Sequence, residues 1–333
     1  MNYFKSKNGV YIIAEIGGNH EGDFEYAKKL TKLAIESGAD AIKYQIYTGD
    51  SLVNPKYDPK RNEHFKKFQL SCKQYLELAI MCQEAKVTFM ASVWDVEAFK
   101  WIDKYIPIYK VGSGDLTAYN LIKKMVLTGK PIILSTGLAT LNDVKDVVKF
   151  IESIDKSYTI DRKLALLQCS SMYPIPDEDA NLNVMLTYKK EFDLPIGYSD
   201  HTVGMDAAFV AAAMGAEILE LHFTDSRKNK EFRDHKVSAT KDEIEDLIKK
   251  IKKIKILQGS FEKKPTKSEI ESGHIKSFRR GVFAKRDIKK GEVLQKEDLI
   301  TLRPLIGVGA EKFYEIIGKK ADRNYEKMES IKT

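Results

Sequence analysis

The feature that most constrains this chain is an alternation. Eight short apolar runs are each followed, at varying distance, by a segment with helical spacing, all between residues 10 and 257. The runs are VYIIAEIG (10–17), ADAIKYQIY (39–47), VTFMAS (87–92), IPIYKVGS (106–113), PIILSTG (131–137), LALLQCSS (164–171), LPIGYSD (194–200) and EILELHFT (217–224). Helix-like segments follow at about 24–37, 72–85, 95–104, 118–128, 140–153, 182–191, 205–214 and 240–257, and Gly38 and Gly129 stand where a helix would stop. Near-continuous apolar runs read as strands buried on both faces, which is the habit of parallel sheets. Eight βα units in this length predict an α/β fold closed into a parallel (βα)8 TIM barrel rather than an open doubly wound sheet.

The alternation stops at residue 258. A polar stretch, 259–275, carries Gly259, Pro265 and Gly273 and reads as a linker able to run extended. Residues 276–333 form a third section of short apolar pieces between turn signals, a small domain too short to bury a generous core alone. Here the net charge concentrates: 15 Lys and Arg against 9 Asp and Glu, most of the +7 of the whole chain. Aromatic residues do not interleave with these cations as they would on a nucleic-acid stacking platform, so a small anion or an acidic protein face is the expected counterpart. No run approaches the length of a membrane helix, and MNYFKSKNGV lacks the apolar middle of a signal peptide. Three widely spaced cysteines, Cys72, Cys82 and Cys169, exclude a disulfide framework. A cytoplasmic protein is the expectation.

In a barrel of this kind, polar side chains at the carboxyl ends of the strands surround the active site. Those positions hold Glu15, Asn19 and His20; Lys43 and Gln45; Ser92; Lys110, Ser113 and Asp115; Ser135 and Thr136; Ser170, Ser171 and Tyr173; Ser199, Asp200 and His201; and His222 with Thr224. The ring is rich in lysine, histidine and hydroxyl groups and poor in carboxylates. Lys43 and Lys110 interrupt the apolar strands AIKYQ and IYKVG. A lysine there is costly unless an anion meets it. With the serine hydroxyls and nearby glycine N–H groups, the two lysines would cradle a phosphate and a carboxylate; a single lysine forming a Schiff base is the alternative. His201 and His222, at neighbouring strand ends, suit a divalent metal with open positions, a proton relay, or a structural role.

AEIGGNHEG, AIKYQ, YKVGSGD, ILSTG, QCSSMYP, GYSDHT and ELHFT, in this order, resemble the sialic acid synthase family. FRRGVFAKRDIKKGEVLQKEDLITLRP resembles the antifreeze-like domain that ends those enzymes. The resemblance implies condensation of phosphoenolpyruvate with an N-acetylmannosamine-type sugar, C–O cleavage of phosphoenolpyruvate, and release of phosphate. It places phosphoenolpyruvate on Lys43, Ser92, Lys110, Ser113, Ser135 and Ser199, and a divalent Mn2+ or Mg2+ ion on His201 and His222. It makes Glu15 a catalytic carboxylate and puts the sugar against Gln45, Asp115, Tyr173 and Asp234. Arg303 would come from the tail domain of the other subunit in a swapped homodimer. Ser92 and Asp115 stand where many relatives have Thr and Glu, Ser171 where some have Asn, and Asn54 to Gln69 differs in length. These departures touch the acceptor. They leave N-acetylmannosamine, its 6-phosphate, and the 2,4-diacetamido-trideoxy sugars of legionaminic and pseudaminic acid synthases as candidates. From another class, the tail resembles an ice- or carbohydrate-binding surface, although its basic charge argues against one.

Overall fold

A computed structural model describes residues 3–332. Eight parallel strands close into a barrel in sequence order: β1 (Tyr11–Glu15), β2 (Ala41–Ile46), β3 (Thr88–Val93), β4 (Ile108–Val111), β5 (Ile132–Ser135), β6 (Leu164–Cys169), β7 (Ile196–Asp200) and β8 (Ile218–His222). β8 pairs back onto β1, with Glu15 opposite His222. The predicted barrel is therefore present, with each strand inside or within a residue of its expected range.

The interior follows the two-residue period of a strand. Ile13, Ala41, Met90, Ile108, Ile133, Leu167 and Ile218 point inward and fill the lower barrel. Two residues further along the same strands come Glu15, Lys43, Ser92, Lys110, Ser135, Cys169 and Glu220, all buried. One layer of apolar side chains thus forms the floor, and the next layer on the same face is polar. On β7 the floor position is Gly197. A Cβ there would run into the Ile218 carbonyl and the Leu167 side chain. Gly197→Ala should therefore destabilise the barrel by about 3 kcal/mol, read as a lowered denaturation midpoint; an unchanged midpoint would contradict this packing.

The outward strand residues, such as Ile12, Ile42, Tyr44 and Leu166, pack under the helices. Local signals set the helix ends. Asp23 caps Phe24–Glu36, and capping boxes open Cys72–Glu84 (Ser71 with Gln74), Leu141–Ile154 (Thr140 with Asp143) and Lys241–Gln258 (Thr240 with Glu243). Gly38 and Gly129 have φ of +83° and +72°, the left-handed geometry of a helix stop.

The polar segment after β2 is helical. It forms helices Gly49–Leu52 and Pro59–Phe68, the second capped by Asp58 with proline at its first turn. Asn62 is buried and its amide donates to the carbonyls of Gly49 and Val53, tying the two together.

The chain divides into two compact units, one ending at Gly259 and one starting at Ser260. The stretch read as an extended linker groups with the second unit and carries helices Lys267–Glu271 and His274–Phe278. The second unit is built on an antiparallel pair, β9 (Gly281–Ala284) and β10 (Leu299–Leu302), over a core of Val282, Ile288, Leu294, Leu299, Tyr325 and Ile331. Among the described residues, no helix is long and apolar enough to cross a membrane.

Candidate active site

The polar inner layer is an interlocked charge cluster. Lys43 Nζ lies 2.5 Å from Glu15 Oε2 and 3.9 Å from Glu220 Oε1. Lys110 Nζ lies 3.3 Å from that same Glu220 oxygen and donates to Ser135 Oγ at 2.7 Å. Ser199 Oγ donates to Glu220 at 3.3 Å, and Gln45 Nε2 donates to Glu15 Oε1 at 2.9 Å. Ser92, buried, stands opposite Gln45 on one side and Lys110 on the other. Two lysines and two carboxylates at this depth neutralise one another, which is how the fold tolerates them.

Their protonation follows from position. Burial opposes charge on Lys43, yet Glu15 and Glu220 hold it above the ordinary lysine value. Burial likewise opposes charge on Glu220, but Lys110 and Lys43 hold its carboxyl below the usual range. For Lys110, burial prevails and lowers its value, with Glu220 opposing. An anion placed against Lys110 would reverse that shift.

Beside this cluster stand the two histidines, their rings 5.3 Å apart. His201 Nδ1 lies 2.7 Å from the Ser170 carbonyl, which only accepts, so Nδ1 carries a proton; burial opposes charge on this ring, but Cys169 and the carbonyl hold its value above the ordinary one. His222 Nδ1 is buried with no hydrogen-bond partner. Burial, then the charges of His201, Lys43, Arg233 and Lys110, keep that imidazole well below its usual value and hence neutral. Asp234 Oδ2 stands 4.0 Å away, beyond hydrogen-bond reach. Among the described residues, no group of three His, Cys, Asp or Glu side chains could hold a metal. This imidazole pair, in which His222 is neutral with an unmet nitrogen, is the set that could hold a divalent cation, and weakly.

Around the pair, the Tyr173 ring lies 4.0 Å from His201 and 5.4 Å from His222. Arg233 covers Tyr173 at 4.8 Å and donates through Nε to Asp234 at 3.1 Å. Ser113 Oγ accepts from Gly137 N at 3.0 Å, joining the loops after β4 and β5. Asp115 is largely buried beside Trp94 and senses the charge of Lys110. Every predicted site residue but one thus belongs to the barrel unit. Arg303 lies in the second unit, its guanidinium 5.4 Å over the Phe278 ring.

Glu220, Cys169 and Arg233 were not among the predicted residues. Glu220 touches both lysines, so the site is less poor in carboxylates than its strand ends imply. The two-residue step back from His222 in ILELH was the signal for it. Cys169 follows Leu167 inward in the same way, and its Sγ lies 3.7 Å from His201 Nδ1.

A TIM-barrel enzyme that gathers buried lysines, hydroxyls and an imidazole pair at the strand ends, followed in the chain by a small unit built on a two-stranded sheet, is the class this architecture defines. A NeuB family model matches residues 30–263 and a SAF domain model residues 279–332. The chain belongs to the NeuB family, and the antifreeze-like expectation for its tail is met by the SAF match. It is similar to an uncharacterized protein of Methanocaldococcus jannaschii, 38% identical over 97% of this chain and 93% of that one. The N,N'-diacetyllegionaminic acid synthase of Campylobacter jejuni is 34% identical over 96% of this chain and 98% of its own. Among solved structures, the N-acetylneuraminic acid (sialic acid) synthetase of Leptospira borgpetersenii, in complex with citrate, superposes with a TM-score of 0.71. It is 30% identical, covering 80% of this chain and 90% of that one.

Proposed function

We propose that the protein condenses phosphoenolpyruvate with an N-acylated mannosamine-type sugar to give a nonulosonic acid and phosphate. The observation that carries this reading is the convergence of Lys43 and Lys110 on one buried carboxylate, Glu220, with Ser135 and Ser199 hydrogen-bonded into the cluster. Such a cluster can exchange its internal counter-charge for the phosphate and carboxylate of the substrate. C3 of the enol attacks the open-chain aldehyde carbon, water adds at C2, and the C–O bond to phosphate breaks. Lys43, Lys110 and the serines hold the leaving anion. Glu15, gripped by Lys43 and Gln45, holds the water and takes its proton, which passes on to the alkoxide formed from the aldehyde oxygen. Gln45, Asp115, Tyr173 and Asp234 face the sugar. A divalent cation on His201 and His222 would supply Lewis-acid polarisation of the aldehyde oxygen.

For the acceptor, a 2,4-diacetamido-trideoxy sugar is the second reading. An aromatic wall favours it: Tyr47 stacks on Trp94 at 5.6 Å and meets Phe65 edge-on at 5.2 Å. Trp94 and Asp115 both border the Gly112 turn, so the wall lies beside one of the residues assigned to the sugar. Such a surface suits methyl groups where other sugars carry hydroxyls. The test is phosphate release and product mass from phosphoenolpyruvate, Mn2+ and a panel of N-acetylmannosamine, its 6-phosphate and diacetamido-trideoxy sugars. No release with any of them would refute the reaction, and borohydride trapping of pyruvate on Lys43 or Lys110 would replace it with Schiff-base chemistry.

Arg303 is proposed to act on the barrel of a second copy, where it reads the sugar's acyl group. Arg303→Ala and Lys110→Ala should each be inactive alone, yet a mixture should regain activity as random reassortment restores about a quarter of the sites. A mixture that stays inactive although its subunits exchange would rule out shared sites.

A further inference from the structure

The seam where the barrel closes is held by a chain of polar contacts that no step above uses. β1 and β8 are neighbours, and past their ends the loop of residues 16–23 meets residues 223–240. Ala239 N donates to His222 O at 2.7 Å and Thr224 N to Ala239 O at 2.9 Å, which folds the segment between them back over the mouth. Asn19, wholly buried, donates to Phe223 O and to Ser238 Oγ, both at 2.8 Å, and Ser238 Oγ in turn donates to Asp234 O at 2.7 Å. His235, also wholly buried, bridges Glu21 Oε1 at 3.1 Å and Thr224 Oγ1 at 2.8 Å. A carboxylate only accepts, so Nε2 carries the proton and Nδ1 accepts from the Thr224 hydroxyl.

The order Thr, His, Glu is that of a nucleophile, base and orienting acid, but Thr224 has no exposed surface for a substrate to approach. The chain has a different use. Residue 234 sits between His235 and Arg233 on the turn Arg233–Val237, and its carboxylate must reach the space beside His222. We propose that Asn19, Glu21 and His235 are positioning residues: they clamp the last loop to the first and so hold Asp234 against the acceptor sugar. This rests on the condensation reading. The GGNHEG segment then serves as the fixed jaw of a sugar site without touching sugar. A displacement of about 1 Å at Asp234 would be felt as lost sugar binding.

The test combines peptide-level hydrogen exchange over residues 230–238 with steady-state kinetics on Glu21→Ala, His235→Ala and Glu21→Gln. Both alanine variants should exchange faster in that segment. They should raise KM for the sugar about tenfold or more while KM for phosphoenolpyruvate stays within about twofold. Glu21→Gln should behave as the parent, because its amide oxygen accepts the same bond from His235. Should His235→Ala fail to fold, Glu21→Ala, at a partly exposed side chain, carries the test. Unchanged exchange would overturn the clamp, and a parallel rise of both KM values would overturn the positioning. Absence of turnover in the parent protein would instead sink the condensation reading, while the exchange result would still decide the clamp.

Discussion

Replacing Lys110 with methionine is expected to lower phosphate release by about 10²- to 10³-fold, the loss typical of removing one charged or hydrogen-bonding group from a preorganised anion site. It should also destabilise the protein by about 3 kcal/mol or more, because Glu220 would remain buried with Lys43 at 3.9 Å as its nearest cation. The two effects separate in a second variant. Lys110→Met with Glu220→Gln removes both charges and should recover most of the stability, since a neutral pair of similar volume costs little at a buried site. It should recover none of the activity. The acid limb of the unfolding curve gives a further check. Glu220 is held below its unfolded value, about 4.3 for glutamate, so its stabilisation is present above that pH. It fades as the pH falls through the lower, folded value. The double variant lacks this contribution and should lose stability less steeply in acid. Thermal melts and phosphate release measure both; full activity in either variant would refute the anion-cradle role of Lys110.

The same cluster shows what was legible in the amino-acid order. Parallel barrel strands are apolar on both faces, so the eight runs stood out, and a lysine inside AIKYQ or IYKVG marked an inward polar position. Glu220 was as visible in principle, two residues before His222, but it lies below the strand end where functional groups are usually sought. The helix Pro59–Phe68 was hidden for the opposite reason. It is polar nearly all round, with Asn62 its one buried residue, so hydrophobic periodicity carried no signal although Asp58-Pro59 announced its start. Arg233 sits in SRKNKEFRDHK, where one charge cannot be told from the next by composition. Only the turn Arg233–Val237, pinned by Asn19 and His235, decides that this guanidinium rather than Lys230 covers Tyr173. Asp234 was reached through family resemblance rather than spacing, for the same reason.

His222→Ala is expected to abolish metal-dependent turnover while leaving the fold intact. The imidazole makes no hydrogen bond through Nδ1, so its removal costs packing against Tyr173 and His201 and no broken network. The stability lost should therefore be no more than that of a core truncation, about 2–4 kcal/mol. Activity should fall much further. Polarisation of the aldehyde by a divalent cation supplies several kcal/mol, and its loss corresponds to roughly 10³-fold in rate. Chelation separates this from a general loss of structure. The parent protein treated with EDTA should lose turnover and regain it with Mn2+, whereas His222→Ala should show the same low rate before chelation, after it and with added metal. Manganese titration followed by electron paramagnetic resonance should show binding in the parent and none in the variant, independently of any reaction. His201 responds differently, because its Nδ1–H bond to the Ser170 carbonyl fixes the ring so that Nε2 faces the site. His201→Ala should cost stability as well as turnover, because it leaves the partly buried Ser170 carbonyl without that donor. A His222→Ala protein that keeps manganese-dependent activity would remove the metal from this pair and, with it, the Lewis-acid part of the condensation.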